Sequence, residues 1–196
     1  MVMIKTQFNQ NKAGWKLSFI SGLSQDENAE YLPWMTYPAI DFLQRTITKN
    51  HSVFEFGCGT STLFFAKRAK KVTSLETNKK WCELIRNMLR QAQHDVNITL
   101  MEDGLTNNLY ETFPQNSGKK FDFIIIDSLK RFECAKNSIN ALKDGGSIIL
   151  DDSERPNYKK IFDFFIKENF LQKDFIGIEP GRLRVKKTTI FTKSYV

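Results

Sequence analysis

The sequence is poor in cysteine, in long apolar runs and in blocks of like charge, and each shortage narrows the field. Cys58, Cys82 and Cys134 are the only cysteines among 196 residues. Their number is odd, and no pair has the spacing of a zinc site or a redox motif. Cys82 and Cys134 fall in helical patterns and read as small hydrophobes. No apolar stretch approaches the roughly 18 residues a membrane span requires. Residues 1–12 are polar and lack the apolar core of a signal peptide, so a reducing cytoplasm is the expected location. The net charge is +7, yet it is spread over short pairs such as Lys70-Lys71, Lys119-Lys120 and Lys186-Lys187. None of these is a basic tail, and they read as a solvated surface. Internal repeats and low-complexity linkers are also missing, which leaves one domain with enough apolar residues, 17 of them Phe, for a large core.

What is present is an alternation of strand and helix. Residues 1–30 read as polar and irregular. An aromatic, proline-bearing loop covers 31–38, and Ile40, Leu43 and Ile47 mark a helix over 38–49. Strands are expected at 52–56, 71–76, 96–101, 121–126 and 147–150. Helices are expected at 60–69, 79–93, 131–143 and 156–169. The helix at 79–93 takes Thr77 or Asn78 as its cap and turns Trp81, Leu84, Ile85, Met88 and Leu89 inward. The chain ends in two β-runs, 173–178 and 187–193, joined without a helix, which favours an antiparallel pair. The pattern predicts an α/β fold: a Rossmann-like, doubly wound, mostly parallel seven-stranded sheet with a C-terminal antiparallel hairpin. Residues 1–50 are expected to form an N-terminal helical extension that caps the site at the strand ends, and 51–196 the core.

The chemistry concentrates at 53–62, Val-Phe-Glu-Phe-Gly-Cys-Gly-Thr-Ser-Thr. A strand runs through Glu55 into Gly57 and Gly59, and a helix-starting cluster follows. Glycine lets a ligand approach the backbone of such a turn. Glu76 ends the next strand, and an acid about 20 residues past a glycine turn is placed to accept ribose hydroxyls. A nicotinamide dehydrogenase would carry a third glycine where this chain has Thr62. Trp34 and Tyr37 read as packing residues.

Glu-x-Gly-x-Gly, the acid at 76, Phe121-Asp122-x-Ile124-x-x-Asp127, Gly145-Gly146 and the final hairpin together resemble class I S-adenosylmethionine-dependent methyltransferases. Residues 32–38, 131–134 and 151–155 further resemble an uncharacterised bacterial small-molecule/O-methyltransferase subgroup whose substrates are poorly defined. The resemblance implies that backbone at Gly57, Cys58 and Gly59 lies beside the methionine part of the cofactor. Glu55 would meet its amino group or brace the loop, and Thr60, Ser61 and Thr62 would meet its carboxylate. Glu76 would hold the ribose. Asp103 would meet the adenine amino group, with Thr77 and Glu102 flanking the ring, and Asp127 would face the methionine end.

Methyl transfer to a hydroxyl requires alignment and removal of a proton. The candidates beyond the strand ends are Asp127, Lys130, Asp151 and Asp152, with Asp152 and Arg155 as substrate contacts and Arg131 and Arg182 as further grips for an anion. Asp127-Ser128-Leu129-Lys130 and Leu150-Asp151-Asp152 also resemble catechol-type O-methyltransferases. In those, such carboxylates hold Mg²⁺ and the lysine acts as base. Asp152 stands where that family has asparagine, so the expectation is no metal, with Asp127, Asp151 and Asp152 as the alternative Mg²⁺ site. The expected activity is methyl transfer to a hydroxyl of a small or sugar-derived acceptor. The competing readings are a nucleic-acid methyltransferase, suggested by the charge, and a non-catalytic cofactor-binding module. The usual Asn/Asp-Pro-Pro-Tyr/Phe motif for nucleic-acid amino methylation is absent after the fourth strand, where the chain reads Asp-Ser-Leu-Lys.

Overall fold

A computed structural model describes residues 2–94, 96–102 and 108–193. Three helices open the chain: α1 (Val2–Gln10), α2 (Lys12–Ser21) and α3 (Tyr37–Thr46). The core then alternates β1 (Ser52–Phe56), α4 (Thr60–Arg68), β2 (Lys71–Glu76), α5 (Lys79–Gln91), β3 (Asn97–Leu100), α6 (Leu109–Asn116) and β4 (Phe121–Ile126). It continues through α7 (Arg131–Ser138), β5 (Leu142–Leu150), α8 (Lys159–Lys167), β6 (Phe170–Glu179) and β7 (Arg182–Lys193). The seven strands form one sheet in the order β3-β2-β1-β4-β5-β7-β6. Strands β1 to β5 are parallel, and β7 runs antiparallel to both β5 and β6. The expected doubly wound sheet and terminal hairpin are both there.

Side chains on a strand alternate between faces, and each face of β1 and β4 meets a different set of helices. Val53, Phe123 and Ile125 pack with Ile40 and Leu43 of α3 and with Phe64 and Phe65 of α4. Phe54, Phe56, Ile124 and Ile126 pack with Tyr110, Cys134, Ile161 and Phe165 of α6, α7 and α8. The second face is the phenylalanine-rich one, with Phe165 and Phe191 stacked at 4.3 Å between ring centroids. Burying one such ring contributes roughly 1.5–3 kcal/mol. Glu55 shares the face of Val53 and is buried there with 1% exposure. A charge at that depth is costly without partners.

Three boundaries differ from the sequence reading. Residues 2–21 are helical rather than irregular, because α1 finds a partner in the sheet's edge. Gln7 accepts from the Ile178 amide at 3.0 Å and donates to the Ile176 carbonyl at 3.4 Å. Gly177 lies opposite, where any Cβ would stand 2.5 Å from the Gln7 side chain. Gly145 and Gly146 do not end a helix. Helix α7 stops at Ser138, and the glycines lie inside β5, where the register with β4 shifts between Phe121 and Phe123. The connection left between the two expected β-runs, 179–186, shrinks to a turn at Pro180-Gly181, since Glu179 already pairs with Arg182 and Gly181 takes φ 72°.

Candidate active site

Two adjoining cavities open beyond the C-terminal ends of the parallel strands, where ligands bind in such sheets. The first, about 200 Å³, is built around the turn from β1 to α4. Gly57 takes φ 94°, and a Cβ there would stand 3.3 Å from the Asp127 carbonyl oxygen. Glycine is therefore required for both conformation and space. The Gly59 amide donates to Thr62 Oγ1 at 3.0 Å, and that hydroxyl donates to Glu55 Oε2 at 2.7 Å. Ser74 Oγ donates to the same oxygen at 2.7 Å. Thus one carboxylate oxygen of Glu55 braces the turn. The other, Oε1, is buried and has no hydrogen-bond partner among the described residues, although Glu55 lines the cavity. Burial pushes the Glu55 carboxyl up to about 7, against the nearby hydroxyls of Ser61, Ser74 and Thr62, and the Asp127 charge adds to the rise.

Glu76 ties the end of β2 to the glycine turn. Its Oε2 accepts from the Cys58 amide at 3.0 Å, and its Oε1 accepts from the amides of Thr77 and Asn78 at 2.7 and 2.8 Å. The Cys58 carbonyl accepts from Trp81 Nε1 at 2.5 Å, which stands the indole up as a wall of the cavity. Asn78 caps α5 by accepting from the Trp81 amide at 3.0 Å. Burial raises the Cys58 thiol far above its ordinary range, so its backbone does the holding. Thr60 Oγ1 donates to the Leu32 carbonyl at 2.7 Å and draws the following Pro33-Trp34-Met35 segment against the cavity.

The structure brings Glu55, Gly57, Cys58, Gly59, Thr60, Ser61 and Asp127 onto this cavity. Thr62 and Glu76 brace it from behind. Thr77 and Glu102 lie outside its lining, Glu102 being exposed in the turn after β3. Asp103 lies outside the described residues. Helices α1 and α2 pack toward the β6–β7 end. The part of the first 50 residues on the cavity is the Pro33–Met35 segment.

The second cavity, about 240 Å³, shares Trp34 and Asp127 with the first. Its floor holds Asp151, Asp152, Glu179 and Lys186, with Arg155, Arg182 and Arg184 at the rim. Lys186, expected on the surface, is buried. Its Nζ lies 2.5 Å from Asp151, 2.7 Å from Asp152 and 2.9 Å from Glu179. Thr188 donates to the other Asp151 oxygen at 2.6 Å. Burial works against the lysine's charge, but Asp151 and Glu179 more than offset it and raise its pKa. Burial and the Asp127 charge raise Asp151 as well, which favours its neutral acid. The two directions pull apart. The contacts to three carboxylates support the charged lysine. Asp152, also opposed by burial, is held below the ordinary carboxylate range by Lys186, Arg131 and Arg155.

Arg131 does not reach out for an anion. It is buried, and it joins the ends of β4 and β5: Nη2 donates to Asp127 at 2.8 Å, Nε to the Ser128 carbonyl at 2.9 Å, and Nη1 to the Asp151 carbonyl. Lys130 lines neither cavity, and its Nζ lies 3.3 Å from Glu111. Arg155 stands at the rim, paired with Asp152.

Asp127, Asp151 and Asp152 can bring one oxygen each within 4.8 Å of one another, a spacing that would suit a divalent ion. Each, however, already receives donors of the chain: Asp127 from Arg131, Asp151 from Lys186 and Thr188, and Asp152 from Lys186 and Arg155. The donor set does not fit Mg²⁺. The first cavity fits an aminoacyl sulfonium nucleoside better, through the unpartnered Glu55 oxygen and the glycine clearance.

Sequence reasoning missed Trp34 and Trp81 as cavity walls, and Glu179 and Lys186 as floor residues. Strand alternation carried the signal for Lys186, which shares a face with buried Thr188 and Ile190.

The sequence pattern of a family described as "Methyltransferase domain" matches residues 54–153. A probable cobalt-precorrin-6B C(15)-methyltransferase (decarboxylating) from Methanobrevibacter smithii is 37% identical over 73 residues. That match covers 36% of this chain and only 39% of the relative. An rRNA methylase from Streptococcus thermophilus superposes with TM-score 0.62 at 16% identity, over 81% of this chain and 97% of its own. A putative methyltransferase from Streptococcus mutans, solved in complex with SAH, gives TM-score 0.57 at 19% identity, over 78% and 94%. At these identities the solved structures speak for the fold alone.

Proposed function

The chain belongs to the class I S-adenosylmethionine-dependent methyltransferases, and from that premise we propose that it methylates a hydroxyl of a small, polar acceptor. The observation that carries the reading is Glu55, which lines the cavity and whose buried Oε1 has no hydrogen-bond partner within bonding geometry among the described residues, the Ser61 hydroxyl being nearby. Such an atom calls for a cationic donor, and the cofactor's amino group supplies one. When bound, the cofactor supplies a methyl group on an electrophilic sulfonium.

The rest is done by residues of the chain. Glu55 receives the amino group while its other oxygen keeps the glycine turn rigid. The amides of the first turn of α4, at Thr60 and Ser61, have no partner within the helix and receive the carboxylate. Glu76, fixed by its three backbone donors, offers remaining lone pairs to the ribose. Thr77 and Glu102 are assigned here to the adenine ring, and the assignment of Asp103 to its amino group rests on the sequence resemblance alone. Trp81 closes the wall and excludes water. Asp127 faces both cavities and takes the proton that the acceptor hydroxyl gives up as its oxygen accepts the methyl. Asp151 and Asp152 form the floor that orients the acceptor, with Arg155 at its rim.

The second cavity is small and lined by charged groups, which favours a compact polar acceptor over a macromolecule. The curated relative is named for a C(15) position, so carbon is the competing target atom. A test uses S-adenosylmethionine labelled in its methyl group with a panel of hydroxylated metabolites. Label is expected on oxygen, in a product stable to base. Label on carbon would move the acceptor reading to that of the relative. Neither reading needs the chain to cross a membrane, and no described helix is long and apolar enough to do so. A cytoplasmic location fits this reading, since the cofactor and such acceptors are cytoplasmic metabolites.

A further inference from the structure

We propose that Lys186 is the resident cation of the acceptor cavity: its ammonium sits among Asp151, Asp152 and Glu179, positions those carboxylates, and by neutralising Asp151 and Asp152 takes from Asp127, Asp151 and Asp152 the charge that a divalent ion between them would need. The inference rests on reading the second cavity as the acceptor site, but not on the identity of the cofactor. Three carboxylates from two segments converge on one nitrogen at 2.5, 2.7 and 2.9 Å. Asp151 and Asp152 are neighbours in the turn that follows β5, and Glu179 ends β6. Oxygens around Ca²⁺ lie at about 2.3–2.6 Å, so the shell is slightly wider than a metal's. An ammonium has three protons, and here each has a carboxylate to meet. The nitrogen is buried, so solvent does not replace these contacts.

Charge balance supports the same assignment. The cavity's acids are Asp127, Asp151, Asp152 and Glu179. Against them stand Lys186, Arg131 on Asp127 and Asp152, Arg155 on Asp152 and Arg182 on Glu179. These four carboxylates meet four cations among the described residues, and Arg184 at the rim pairs instead with Glu154. A divalent ion added to this set would lie against a buried ammonium and carry the cavity to net positive charge, and both effects oppose it. Strand β7 makes the arrangement possible. Lys186 and Thr188 project from the same face, and Thr188 holds the Asp151 oxygen that Lys186 does not reach. Lys186 is thus a positioning residue. It sets Asp151 and Asp152 beside Asp127 without a dissociable ion.

The test is Mn²⁺ binding followed by electron paramagnetic resonance on the full chain, with S-adenosylhomocysteine calorimetry run alongside. Wild-type protein is expected to leave the free Mn²⁺ signal undiminished up to about 1 mM, the weak end of protein cation sites. Lys186→Met keeps the apolar stem and deletes the charge. It is expected to gain one Mn²⁺ equivalent with at least tenfold higher affinity than wild type, and Lys186→Met with Asp152→Asn is expected to lose that gain. A merely structural lysine would change stability without creating a metal site. A folded Lys186→Met that binds no Mn²⁺ would overturn the proposal. So would wild-type Mn²⁺ binding that Asp152→Asn abolishes, and this second arm decides the matter even where Lys186→Met fails to fold. Failure of wild-type protein to bind S-adenosylhomocysteine would count against the cofactor reading and leave the Mn²⁺ result standing.

Discussion

The two cavities share Trp34 and Asp127 yet satisfy their charges in opposite ways. In the first, a fully buried carboxylate keeps one oxygen without a hydrogen-bond partner among the described residues, and burial lifts its pKa to about 7. In the second, Asp151, Asp152 and Glu179 each meet a cation of the chain itself. An incomplete polar site is unstable until a ligand completes it, whereas a complete one is rigid and ready. The contrast suggests a division of labour. The first cavity draws strength from the bound cofactor, and the second presents a preset surface to the acceptor.

The strongest way to break this comparison is to fill the first cavity's turn. Gly57→Val forces a β-branched residue into a left-handed φ and against the Asp127 carbonyl. We expect S-adenosylhomocysteine affinity to fall at least a hundredfold, about 3 kcal/mol, by calorimetry. Gly22→Ala is the control, since its φ is also positive at 68° with nothing within 4 Å of the added Cβ. It should leave affinity unchanged. Next in size is Glu76→Ala, which strands three backbone amides. Stability in a urea titration should fall by about 2–3 kcal/mol, with a more than tenfold loss of cofactor affinity. A smaller effect separates the cavities. Trp34→Ala removes a wall common to both and should weaken S-adenosylhomocysteine several-fold. Arg182→Ala should change it less than twofold, because Arg182 packs on Trp34 from the second cavity, 5.0 Å from the ring centroid, and is largely exposed. The smallest is chemical: the buried Cys58 thiol, with its raised pKa, should resist a thiol reagent in native protein and react only on unfolding.

The two regions also differ in how far the sequence disclosed them. The first cavity is made largely from one continuous stretch, 55–61, whose strand, glycine turn and helix start are local features. Its acids at 55 and 76 follow the period of the sheet, so they were legible. The floor of the second joins Asp151 and Asp152 to Glu179 and Lys186 through the pairing of β7 with β5 and β6. Nothing local marks Lys186 as different from its neighbour Lys187, and only strand alternation separates them. Trp81 was legible as apolar, but its indole N–H finds the Cys58 carbonyl only once α5 is docked. The helices at 2–21 failed as a sequence reading for a related reason. Their stability comes from the sheet edge they cover, not from a strong apolar stripe.

The central claim is that Glu55 Oε1 awaits a cationic donor, and its pH behaviour tests that claim directly. Because the folded pKa is raised from 4.5 to about 7, Glu55 lends stability that is fully present at low pH. That stability is lost between those values as the unfolded chain gives up its proton first. A cationic ligand needs the ionised form, so binding should strengthen as pH rises through 7. Calorimetric titration of S-adenosylhomocysteine at pH 6 and pH 8, on wild type and Glu55→Gln, is the measurement. The account predicts roughly tenfold tighter binding at pH 8 for wild type and a weaker, flat response for Glu55→Gln. Absence of binding by folded wild type, or the same pH dependence in Glu55→Gln, would contradict it.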